Sequence, residues 1–90
     1  MQDTSRPSPG QARPRTVGGL LREHRTREGM TIAHLSARAR CTPGAISASE
    51  RGDQIPTGAV LGRLLGGLGL GPDAAAEVWR AWSAARGGAR

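Results

Sequence analysis

The sequence has no lysine, no phenylalanine and no tyrosine, and only two tryptophans and one cysteine. Apolar content is mostly Ala, Leu, Val and Ile, which argues against a β-sandwich or barrel built on aromatic and β-branched strands. A single cysteine excludes an internal disulfide, and with two scattered histidines it excludes a zinc-finger ligand set. No apolar run approaches the roughly 18 residues of a membrane span. The best candidate, Leu64 to Leu70, is short and broken by Gly66, Gly67 and Gly69. Met1 opens a polar, Pro-rich stretch without an apolar h-region. A secretory signal is therefore not expected, and a cytoplasmic, nucleoid-associated protein is. At 90 residues the chain has room for one small domain and not two.

Charge is what the sequence has in excess. Thirteen Arg face seven acids, giving a formal +6 and a pI near 11.6. That balance is the usual footprint of a nucleic-acid binder. The missing lysine fits either a GC-rich coding sequence or selection for bidentate phosphate contacts. The basic residues are spread along the chain, and no single helix carries a dense basic stripe.

Residues 1–15, MQDTSRPSPGQARPR, hold three prolines and no apolar cluster. They cannot bury enough surface to offset ordering entropy, so a flexible basic arm carrying Arg6, Arg13 and Arg15 is expected. Such an arm is either a plain disordered terminus or a contact to DNA phosphates and the minor groove.

Thr16 reads as an N-cap, followed by Val17, Leu20, Leu21 and His24 at helical spacing and by Gly29 as a stop. The first helix is therefore expected at about 17–28. Thr31 caps a short second helix, 32–38, with Ile32, Leu35, Ser36 and Ala39 on one side. Thr42 caps a third, 43–51, with Pro43 at the first helical position and Gly52 as its stop. Pro56 and Thr57 open a fourth with Val60, Leu61, Leu64, Leu65 and Leu68 on its core face, ending at Gly69. Gly62, Gly66 and Gly67 weaken this helix by up to about 1 kcal/mol each, or let another helix approach closely. Pro72 and Asp73 open a fifth, to about Arg86, with an apolar stripe of Ala75, Val78, Trp79, Trp82 and Ala85. The expected organisation is an all-α five-helix domain over 16–86, with a helix-turn-helix at about 31–52 and a frayed tail at 87–90.

Helices 32–38 and 43–51, joined by Ala39 to Thr42, have the span of a helix-turn-helix. In detail, TIAHLSARARCTPGAISASERGDQIP (31–56) resembles the helix-turn-helix of the Cro/C1 repressor superfamily, the XRE-type regulators. The family's places are taken by Thr31, Leu35-Ser36, Cys41, Thr42, Ile46-Ser47, Glu50, Gly52 and Pro56, and Leu20 to Arg25 is similar to the family's first helix. The stretch Ile55-Pro56-Thr57 to Leu68-Gly69, with Trp79 and Trp82, is similar to a subgroup of actinobacterial modules with a Trp-bearing last helix.

The resemblance implies a lambda-repressor-like fold and a transcriptional regulator of double-stranded DNA. It places Pro43, Gly44, Ser47 and Ala48 against the major groove. The N–H groups at the two helix starts, with Thr31 and Thr42, would face phosphates, flanked by Arg40, Arg51 and Gln54. It implies an ion pair between Arg25 and Glu50. A module this small is expected to act as a homodimer on two half-sites. Three places depart from the family pattern: Ile32 replaces a phosphate-binding Gln, Arg40 replaces a turn Gly, and Ser49 replaces an apolar residue. The groove-facing set holds no Arg, Gln or Asn, so poor base discrimination by a monomer is expected.

The alternative is a protein-interaction module of the same fold that recruits a partner through the last helix. There Trp79 and Trp82 either close the core over the first and fourth helices or form a partner-facing patch. Cys41 is expected as a small buried filler. His24 and His34 are expected in half-buried or surface roles, with no metal site. No Ser/His/Asp set or carboxylate pair is visible, so no enzyme and no cofactor are expected. GGLGLG (66–71) matches a phosphate loop in composition alone, since no strand precedes it.

Overall fold

The computed structural model describes residues 16–87. The expected arm (1–15) and most of the expected tail (88–90) lie outside the described residues. Five α-helices follow one another among the described residues: α1 Val17–Arg27, α2 Ile32–Ala39, α3 Pro43–Arg51, α4 Gly58–Leu68 and α5 Pro72–Gly87. Among the described residues there is no strand.

The same local chemistry starts the first four helices. The hydroxyls of Thr16, Thr31, Thr42 and Thr57 accept hydrogen bonds from the N–H groups of Gly19, His34, Ala45 and Val60 at 2.9–3.2 Å. Each satisfies one of the donors a helix start leaves orphaned. The stops are equally local. Gly29, Gly52 and Gly69 have φ of 72°, 83° and 68°, a conformation glycine adopts without a Cβ penalty. Arg40 adopts φ 58°, ψ 44° at the end of α2, so the turn keeps the left-handed geometry despite its side chain. Ser36 holds that turn. Its carbonyl accepts the N–H groups of Arg40 and Cys41, and its hydroxyl donates to the Cys41 carbonyl.

The fully buried side chains are aliphatic: Leu20 and Leu21 of α1, Leu35 of α2, Ile46 of α3, Leu61 and Leu64 of α4, and Val78 of α5. Two close crossings seat the helices. Gly18 of α1 lies against the carbonyls of Ser49 and Glu50 in α3. Gly67 of α4 lies against Leu35 and Ala39 of α2. Arg38 adds a cross-tie, its Nε donating to the Gly67 carbonyl at 2.6 Å.

Helix α5 departs from the expected stripe. Of its residues only Val78 is buried, while Ala85 is exposed and Trp79 is 36% exposed. Ala75, Ala81 and Trp82 complete the inner side. Trp79 follows Val78 by a single residue, about 100° around the helix, and so leaves the core side. Trp82 does close the domain at its edge: its indole N–H donates to the Pro56 carbonyl at 2.8 Å and its ring covers Gly58. Trp79 stands edge-on to it with centroids 5.4 Å apart, and Arg86 stacks 4.7 Å from the Trp82 centroid. His24 is buried, deeper than the half-buried or surface role expected, and His34 is exposed. Cys41 is half-buried rather than fully enclosed, its thiol 3.5 Å from the Ala39 carbonyl.

Candidate nucleic-acid interface

The site begins with what holds α3. Arg25, near the end of α1, makes a two-pronged pair with Glu50 of α3: Nε to Oε2 at 2.7 Å and Nη2 to Oε1 at 3.0 Å. Its remaining prong, Nη1, donates to the Met30 carbonyl at 2.8 Å. One guanidinium thus fixes α1, the α1–α2 loop and α3 together. The two side chains are only 12% and 6% exposed. The hydrogen bond to Glu50 raises the Arg25 pKa above its ordinary value, against the smaller opposing effect of burial. A forked pair with low exposure is the geometry in which a salt bridge restrains its partners most.

Beside that pair, α3 presents a small-residue surface. Pro43 and Gly44 are exposed, and Ser47 and Ala48 are half-buried. A Cβ at Gly44 would meet nothing within 4 Å. Residues 44, 47, 48 and 51 recur at helical spacing and share one side of the helix. Arg51 belongs to this side: its Nη1 donates to the Ser47 hydroxyl, and its Nε donates to Asp53 Oδ2 at 2.9 Å. Asp53 did not stand out in the sequence, because its partner is set by side-chain direction rather than by spacing.

The remaining residues named from the sequence are placed as follows. Thr31 and Thr42 are exposed and engaged as caps of α2 and α3, and Arg40 is exposed on the turn between them. Gln54 is exposed but lines a different surface. That surface is a groove between Thr16, Val17 and Gly18 at the start of α1, Ile55 in the α3–α4 loop, and Ala81, Ala84 and Ala85 of α5. Ile55 is 48% exposed beside it. Among the described residues no cluster of His, Cys, Asp and Glu could hold a metal ion, and no helix is long and apolar enough to cross a membrane.

Comparison with known proteins gives the same frame. Residues 16–78 match the family model described as "Helix-turn-helix domain". Among solved structures the chain is similar to the clp gene regulator ClgR from C. glutamicum. The identity is 27% and the TM-score 0.64, with 79% of this chain and 88% of that chain covered. No curated protein matches. The family match takes in the turn from α2 to α3, both threonine caps and the α1 residues that brace them. The chain belongs to the helix-turn-helix domain family.

Proposed function

We propose that the protein is a DNA-binding transcriptional regulator, a binding module rather than an enzyme, that lays α3 in the major groove. The observation that carries this reading is the pairing of a bare outer side on α3 with a buried brace on its inner side. Small residues at 43, 44, 47 and 48 let the helix backbone sit close to base edges. The Arg25–Glu50 fork keeps the helix at one angle while it does so. The capped starts of α2 and α3 aim backbone N–H groups and the positive ends of two helix dipoles at phosphates. Thr31, Thr42 and Arg40 flank that approach, Arg51 lies over Ser47 on the outer side of α3, and Gln54 belongs to the separate groove beside Ile55. The +6 net charge supplies the sequence-independent part of the affinity. Two copies on half-sites about 34–36 Å apart would give a module this small a useful specificity. The similarity to a gene regulator agrees with this assignment.

The test is a duplex titration with Gly44→Glu. The substitution has open space, so the fold is retained, and it sets a carboxylate against the DNA. Binding by the parent should weaken steeply with salt, each neutralised phosphate adding roughly 0.9 to the log–log slope. Gly44→Glu should abolish it. If Gly44→Glu binds as the parent does, α3 is not in the groove. The second reading, a protein-interaction module, would then take over, and the groove beside Ile55 favours that reading over the Trp pair. Trp82 is committed to Pro56, whereas Ile55 stays exposed beside the groove.

A further inference from the structure

We infer that Arg51 is a specificity-determining residue of α3, reading a guanine in the major groove, and that Asp53 positions it. The inference rests on the DNA-binding reading above and deepens it. The small residues of the α3 outer side leave that side without a long donor of its own. Arg51 supplies one from the end of the helix. A long helical side chain points back toward the N-terminus, over the preceding turn. Arg51 does so here, with its Nη1 on the hydroxyl of Ser47, one of the four small residues. Its guanidinium therefore lies along the surface proposed to meet base edges, rather than out toward the flanking backbone.

The hydrogen-bond count leaves the donors that recognition needs. A guanidinium has five N–H groups: one on Nε and two on each terminal nitrogen. Asp53 takes the Nε hydrogen and Ser47 takes one on Nη1. The second hydrogen of Nη1 and both on Nη2 remain beyond those two partners. Donors on two adjacent nitrogens are what a fork onto guanine O6 and N7 uses. Asp53 does two further things. It orients the planar group from behind through Nε, and it sets a carboxylate at the edge of the interface. Both Arg51 and Asp53 are about 60% exposed, so the pair itself adds little stability. Its value lies in orientation. A carboxylate near the DNA backbone opposes sequence-independent binding, while an oriented fork favours one base. The two effects together separate specific from generic binding.

The full-length chain should be run through selection on a library of randomised duplexes, beside Arg51→Lys, Arg51→Ala and Asp53→Ala. The parent should enrich a site with a guanine at one fixed position per half-site. Arg51→Lys should keep the salt slope of the parent and lose that guanine preference by about tenfold, since an ammonium cannot fork. Asp53→Ala should bind random duplex more tightly than the parent while its guanine preference flattens, a combination that a purely structural role would not produce. An unchanged consensus in Arg51→Ala, with only a shallower salt slope, would make Arg51 a phosphate contact and overturn the inference alone. An Asp53→Ala consensus as sharp as the parent's would remove the positioning role. If the parent retains no duplex at low salt, the DNA-binding reading falls first and this inference with it.

Discussion

A Cβ placed on Gly18 would stand 2.1 Å from the carbonyl oxygen of Ser49 and 2.8 Å from that of Glu50. Both neighbours are backbone, so neither can turn aside as a flexible side chain would. Gly18→Ala should therefore act as severe overpacking and cost at least about 3 kcal/mol, despite the better helix propensity of alanine. In a domain of this size that lowers the thermal midpoint by more than about 10 °C, which calorimetry would show. A midpoint within a few degrees of the parent would mean that α1 and α3 can separate without harm. The second single-residue dependence is Arg25. Arg25→Ala strands the Glu50 carboxylate at 6% exposure and frees the Met30 carbonyl, so a loss of about 3–5 kcal/mol is expected. Glu50→Gln keeps the shape and an acceptor, and should lose less in a denaturant titration. Equal losses for the two variants would show that charge, not shape, decides this contact.

At the scale of the element, α4 holds exposed and enclosed glycines in one helix. Gly62 and Gly66 are exposed with open space around them, whereas a Cβ on Gly67 would lie 3.1–3.2 Å from Leu35 and Ala39 of α2. Gly62→Ala and Gly66→Ala should each stabilise by up to about 1 kcal/mol, through propensity alone. Gly67→Ala should destabilise by about 1–2 kcal/mol, as the two helices are pushed apart. Opposite signs within one helix are the discriminating result, and three shifts of one sign would refute it. The helix limits were legible in the sequence because caps and stops are local: Thr16, Thr31, Thr42, Thr57, Gly29, Gly52 and Gly69 act within a turn of themselves. The brace between residues 25 and 50 was legible through the family resemblance. What local pattern did not carry was tertiary direction. Nothing in the sequence told which of Gly62, Gly66 and Gly67 meets α2. The apolar stripe of α5 did not say that Trp79 turns outward. Arg51 and Asp53 came together through the way one side chain lies, which spacing does not encode.

Taken as a whole, the molecule is built of two unequal parts. Helices α1 to α4 contribute every other fully buried side chain and both close glycine crossings. Helix α5 is the longest helix among the described residues, at 16 residues, and has one buried residue, Val78. The Trp82 contact to Pro56 and Gly58 and partly buried alanines add to its attachment. That imbalance has a consequence in time rather than in shape. Segments with few buried apolar contacts open separately, at a lower free energy than global unfolding. Amide hydrogen exchange should therefore run in two classes. The amides of α5 after Val78 should exchange first, while those of α1, α3 and α4 wait for the whole domain to open. Trp82→Ala should speed the first class and leave the slowest amides of α4 little changed. A single common exchange rate across all five helices would mean that α5 is as tightly coupled as the rest. If the two classes are seen, the last helix visits a detached state that the helix-turn-helix does not share.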